Sequence, residues 1–258
     1  MTLRAIELAQ RLNRLLRVDG HPDYPMALNG LQLDHRGPLR RIAAAVDVSL
    51  RSIQGAVDGG ANFLLVHHGL FWGGAQPIVG GAFARLRMLF DHDVAVYSAH
   101  LPLDSHPEFG NNALLARELE LTPSRTFATY QGVPVGLSGD TDTPTDVILS
   151  LADAFARRHH GTARSSVIPP DHRTRRWAIC TGAGASTETL REAEAGRIDT
   201  LITGEGPHHT AVEAPERGIV VIYAGHYATE TLGVAAVAER IASESGIPWS
   251  FVNAPTGL

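Results

Sequence analysis

The residues able to do chemistry in this chain are histidines and carboxylates set at the ends of apolar runs. His67 and His68 close the run FLLV and precede Gly69. Neighbours in a regular strand point to opposite faces, so these two rings converge only if the strand stops there, which Gly69 allows. His226 and Glu230 follow GIVVIYAG, and their spacing puts both side chains on one face of a helical turn. His100 and Asp104 repeat that spacing after another apolar run, with Pro102 between them working against a regular helix. Glu205 ends a further run and is followed by His208 and His209. Each pair also has a structural reading, as a hydrogen-bonded or solvated group at a strand end. Taken together, His67, His68, His226, Asp104 and Glu230 make a ligand set for two divalent ions, of zinc, iron, manganese, cobalt or nickel. Two-metal sites hold their ions roughly 3.5–4 Å apart and activate a water. Cations that close repel, so an anion must lie between them, and Glu230 has the reach to bridge. His100, His208 and His209 are left as groups that can move protons.

The composition narrows the alternatives. All 22 basic residues are Arg, and without Lys there is no P-loop lysine, Schiff-base lysine or lysine general base. Cys180 is the single cysteine, which excludes an intrachain disulfide and a multi-cysteine zinc site. A net charge of −5 argues against nucleic acid and anionic membrane as partners, since both need a basic surface. No apolar run approaches the roughly 20 residues of a membrane span. The start of the chain lacks a secretory apolar core and reads as an amphipathic helix on Ile6, Ala9, Leu12 and Leu16, so a cytoplasmic location is expected.

Holding those residues requires strand ends and tight turns. The pattern predicts strands at Arg41–Val48, Asn62–Val66, Val94–Ser98, Trp177–Thr181, Thr200–Thr203 and Ile219–Tyr223. It predicts helices at Leu50–Asp58, Phe83–Phe90, Asn111–Glu120, Pro144–Arg158, Thr187–Ala195 and Glu230–Ser243. Slid against itself, the stretch from Ser49 (SLRSIQGAVDGGANFLLVHHG) lies over that from Ser186 (STETLREAEAGRIDTLITGEG), and YSAHLPLD lies over YAGHYATE. The expected fold is therefore α/β, with two related halves at 1–127 and 128–258 and a metal site in the cleft between them, at strand carboxyl ends. The stretch GAGAS at Gly182–Ser186 follows a strand as phosphate-cradling loops do, but lacks their full glycine fingerprint.

The motifs LVHHGLFW, YSAHLPLD, GEGPHH and AGHYATE, in this order and preceded by ALNGLQLD, resemble the NIF-three-like dinuclear metal-centre family, also known as GTP cyclohydrolase I type 2 homologues. The resemblance covers most of the chain. It implies metal ligands at His67, His68, Asp104, His226 and Glu230, with His68 and Asp104 on one ion, His67 and His226 on the other, and Glu230 shared. It places His100 in the site region. It implies a two-part α/β fold without an inserted domain, and a ring-shaped homo-hexamer with inward-facing sites. The expected activity is a metal-dependent hydrolase acting on a nucleotide or related small molecule. The other reading is a non-catalytic metal-binding scaffold, carrier or regulator.

Overall fold

The computed structural model describes residues 3–258. The first part of the chain forms α1 (Ala5–Leu16), β1 (Gly30–Leu33), β2 (Ile42–Asp47), α2 (Leu50–Asp58), β3 (Phe63–His68), α3 (Gly80–Asp91), β4 (Ala95–Ser98) and α4 (Leu101–Asp104). There follow α5 (Asn111–Glu118), β5 (Arg125–Tyr130), β6 (Val133–Pro144), α6 (Thr145–Arg158), β7 (Arg164–Ser165) and β8 (Arg173–Cys180). The remainder is α7 (Thr187–Ala195), β9 (Thr200–Thr203), α8 (His208–Glu216), β10 (Val220–Tyr223), α9 (His226–Thr229), α10 (Thr231–Ser245) and β11 (Trp249–Phe251).

The chain divides into two compact units, one of Met1–Leu103 with Gly233–Ala254 and one of Asp104–Leu232 with Pro255–Leu258. The first is built on a sheet of order β1-β4-β3-β2-β11, in which β4, β3, β2 and β11 run parallel and β1 is antiparallel at the edge. Its central strands are buried on both faces, which is why IAAAV and FLLV read as unbroken apolar runs. Ala43, Ala45, Leu64, Val66 and Val96 pack there against Ile53 and Ala56 of α2 and Leu89 of α3. The second unit has the order β5-β6-β8-β9-β10-β7, with β8, β9 and β10 parallel. Its core joins Trp177, Ile179, Ile202 and Ile222 to Ile148, Ala152 and Phe155 of α6.

The internal repeat is present down to its hydrogen bonds. In β2-α2-β3 and again in β8-α7-β9, a serine caps the helix: Ser49 Oγ accepts from the Ser52 N–H, and Ser186 Oγ from the Thr189 N–H. The Ser52 hydroxyl donates to the Asp47 and Ser49 carbonyls, and the Thr189 hydroxyl to those of Gly184 and Ser186. After each helix a side-chain oxygen accepts from a backbone N–H of the first strand or its approach, Asn62 from Arg40 just before β2 and Asp199 from Arg176 in β8. The third strand of each copy, β4 or β10, leads into a single helical turn, α4 or α9.

The position between 127 and 128 lies within β5, while the compact units divide after Leu103, Leu232 and Ala254, and β11 pairs with β2 of the first. Several local expectations are corrected. In α1 the buried face is Ala5, Leu8, Ala9, Leu12 and Leu16, while Ile6 is exposed. The sixth helix begins at Thr145, with Pro144 in the capping position and Thr143 still in β6. Glu230 does not open α10; it closes α9 as its C-cap. Pro102 does not prevent α4, because the first turn of a helix lacks the N–H bonds that proline removes.

Candidate metal centre

In the first unit, the adjacent strands β3 and β4 deliver three histidines. His67 and His68 are the last residues of β3, and His100 follows β4. One ligand-type atom from each of the three lies within 4.8 Å of the others. His67 is fully buried and its Nδ1 is 2.9 Å from the Ala99 carbonyl oxygen. The His68 Nδ1 is 2.9 Å from Asp47 Oδ1, and Asp47 is the residue that β2 sets opposite His68 in register. The His100 Nδ1 is 2.8 Å from Asp23 Oδ1. A carbonyl or carboxylate at Nδ1 makes that nitrogen the donor, which fixes Nε2 as the lone-pair atom of the neutral ring. Metal-binding histidines are oriented in this way, by an acceptor on the nitrogen that does not ligate.

Asp23 is itself held by several donors. Its carboxylate accepts from the Tyr24 and Leu101 N–H groups at 2.7 and 3.0 Å and from the Asn29 amide at 2.8 Å. Burial works against its charge, but the His100 hydrogen bond and charge, with those donors, hold the carboxyl below its usual range. Asn29 also accepts from the His100 N–H at 2.7 Å, and Gln32 accepts from the Leu70 N–H at 2.6 Å just past His68. The segment ALNGLQLD thus braces the turns after both β3 and β4. Trp72 stands edge-on to His100 with ring centroids 4.7 Å apart, so the glycine-rich stretch after His68 carries an aromatic wall to the cluster.

In the second unit, Gly225 opens α9 and places His226 and Glu230 at its two ends. His226 Nδ1 is 2.8 Å from Glu205 Oε1, and His226 Nε2 is 3.1 Å from Glu230 Oε2. Burial alone would pull the His226 pKa down. The Glu230 hydrogen bond and charge, followed by those of Glu205, outweigh it and push the ring up to about 9. Gly182, just past β8, has φ +62°, and a Cβ there would lie 2.1 Å from Glu230 Oε1. The first glycine of GAGAS therefore lies close against a carboxylate. Asp104, at the end of α4, accepts from the Asn111 amide at 2.8 Å and lies 3.4 Å from the Thr181 hydroxyl. Cys180 is buried beside these acids; burial, then the charges of Asp104, Glu192 and Glu230, push its thiol up to about 12.

Each unit thus holds part of the expected set: His67, His68 and His100 in the first, and Asp104, His226 and Glu230 in the second. His208 and His209 open α8 on its exposed side, with His209 Nε2 3.3 Å from the Thr187 hydroxyl. Sequence reasoning misses Asp23 and Asp47 behind the rings, and picks out Glu205 and Gly182 without the roles they have here. For Asp47 a signal exists: it is the one charged residue ending an otherwise apolar strand. Glu205 stands out at its strand end, but nothing in its spacing points to His226. The residues fit a divalent cation in both units, because each candidate imidazole is oriented by an acceptor and Glu230 has a space that a side chain at 182 would fill.

Fold and side chains define a duplicated α/β protein with an imidazole cluster in its first unit and an imidazole–carboxylate cluster in its second. The model of the Duf34/NIF3 (NGG1p interacting factor 3) family matches residues 3–255, and the chain belongs to that family. It is 43% identical to a protein of Deinococcus radiodurans named GTP cyclohydrolase 1 type 2 homolog, over 98% of this chain and 94% of that one. Among solved structures it resembles the protein ybgI, described as of unknown function, at 32% identity and a TM-score of 0.89 over 99% of this chain and 100% of that one. It also resembles TTHA1606 from Thermus thermophilus, at 36% identity and a TM-score of 0.81, over 99% of this chain and 100% of that one. Among the described residues, no helix is long and apolar enough to cross a membrane.

Proposed function

We propose that the chain binds two divalent metal ions through His67, His68, Asp104, His226 and Glu230, and hydrolyses a nucleotide or related small molecule. In this reading His68 and Asp104 serve one ion, His67 and His226 the other, and Glu230 both. The observation that carries it is the common anchoring of His67, His68 and His226, each by an acceptor at Nδ1. The name shared by the curated relatives, GTP cyclohydrolase 1 type 2 homolog, supports a purine nucleotide as the first substrate to try.

When bound, two such ions supply an acidified water and charge stabilisation for a developing oxyanion. The chain's own groups do the rest. Asp47 and Glu205 hold His68 and His226 in the ligating orientation. The exposed His208 and His209 can pass a proton from the rim. Arginines must bind any phosphate, since there is no lysine. A ring-shaped homo-hexamer in the cytoplasm belongs to the same proposal, and a native mass six times that of the chain is its test.

The direct experiment is metal analysis with turnover. The wild type should carry two ions per chain and hydrolyse GTP or a phosphodiester, and Asp104→Ala should lose one ion and lower turnover at least a hundredfold. Two bound ions with turnover no greater than in metal-free protein, over a broad nucleotide panel, would replace the hydrolase with the scaffold or carrier reading.

A further inference from the structure

His100 is built into the first unit as firmly as the two histidines of β3. Its backbone N–H is bound to Asn29 and its Nδ1 to Asp23, whose side chain is almost wholly buried. The ring centroid of His100 is 4.9 Å from that of His67 and 5.6 Å from that of His68, and the two β3 rings are 4.8 Å apart. All three have Nδ1 committed to an acceptor, so all three present Nε2 as the coordinating atom. His67 and His68 end β3, and His100 lies two residues past β4, the parallel strand beside it. A proton-moving histidine needs access to substrate; His100 is buried among rings, with Trp72 across its edge.

We infer that His67, His68 and His100 form an all-imidazole cation site contained in the first unit, which takes up a first ion with no ligand from the second. The inference rests on the metal-binding half of the reading above and not on hydrolysis. Three neutral imidazoles favour borderline and soft divalent ions, such as zinc, copper, nickel and cobalt, over magnesium, calcium and manganese, which prefer oxygen. Asp23 is the positioning residue for His100, as Asp47 is for His68. In the two-ion state proposed above, His67 and His68 serve different ions alongside Asp104, His226 and Glu230. His100 is what lets the one-ion state exist without them.

The test uses the full chain with the second unit's ligands disabled, as Asp104→Asn/His226→Gln/Glu230→Gln, titrated with Cu²⁺ and with Co²⁺ alone. One ion per chain should still bind, and the Cu²⁺ paramagnetic resonance spectrum should show nitrogen splitting from three imidazoles. Adding His100→Ala should weaken that binding at least tenfold, and Asp23→Asn should weaken it about 10–100-fold. A folded triple variant that binds no ion, or one whose affinity ignores His100→Ala, overturns the inference. If the triple variant does not fold, the first sub-stoichiometric equivalent of Cu²⁺ on the wild type decides. A three-nitrogen spectrum supports the site, and a mixed nitrogen–carboxylate spectrum removes it. Absence of turnover in the two-ion wild type would end the hydrolase reading and leave this result standing.

Discussion

His226 sits between two carboxylates, and its proton is the quantity most open to measurement at the residue scale. Its pKa, about 9 against an ordinary 6.5, is raised in the folded chain. The stability this proton contributes is therefore fully present below pH 6.5 and is lost as the pH rises through about 9. Metal-free protein should show a falling melting temperature across that window, and Glu205→Gln, which removes one of the two acids, should move the fall to lower pH. A ligating imidazole must be neutral, so metal uptake near pH 7 should release a proton from His226. Calorimetry in buffers of different ionisation enthalpy reads that release; a heat independent of buffer would remove His226 from the ligand set. Gly182 offers a separate handle. A side chain there would occupy the space of Glu230 Oε1 at a positive φ, where non-glycine residues cost about 1–2 kcal/mol. Gly182→Ala should weaken metal binding at least tenfold while circular dichroism stays unchanged, and wild-type affinity in that variant would show that Glu230 is not a ligand.

At the scale of elements, the two copies of strand–helix–strand rest on the same hydroxyl caps, so their loss should cost similar amounts. Ser49→Ala and Ser186→Ala should each destabilise by about 1 kcal/mol in denaturant titration, within the usual range of roughly 0.5–2 kcal/mol for caps. A cost confined to one of them would mean that the hydrogen-bond correspondence is not energetic. These elements are also the legible ones. Both repeat helices begin and end where the sequence pattern puts them, because serine at the cap and glycine past the end bracket each apolar run. The hairpin of β5 and β6 escapes that pattern, although Gln131 and Gly132 between the strands both have positive φ, the signature of a two-residue turn. Gln-Gly is a weaker turn signal than Asn-Gly, and the strands carry mixed polar residues because part of the hairpin faces solvent. The return of β11 to β2 is equally hidden, since parallel pairing across some 200 residues leaves no local trace. The proposed ligands are legible for the opposite reason: His67, His68, Asp104, His226 and Glu230 each lie at or within several residues of a strand end. Asp23 reaches His100 from far away in sequence, in a loop before β1, and no spacing rule finds it.

At the scale of the molecule, the chain passes between its two compact units three times, after Leu103, Leu232 and Ala254, and the first two crossings fall next to candidate ligands in sequence. The first crossing, after Leu103, separates His100 from Asp104 inside the turn α4. The second, after Leu232, comes two residues past Glu230, inside α10. If one pair of ions draws ligands from both units, as proposed, loading should restrain the crossings after Leu103 and Leu232. A ligand that binds only the folded state stabilises it by RT ln(1 + [L]/Kd), about 2.7 kcal/mol at a free concentration roughly one hundred times Kd. For a chain of this size that corresponds to a rise in melting temperature of about 5–10 °C. The local signature is more decisive than the global one. Amide exchange should slow most in 101–104 and 226–233 on going from one bound ion to two, and less in the interior of either sheet, which is already protected. The first ion, held by the imidazoles of one unit, should protect 67–72 and 100 while leaving 226–233 as in the metal-free chain. Equal protection of all these segments by the first equivalent would mean that both units engage a single ion from the start, and that the sequence of loading is wrong.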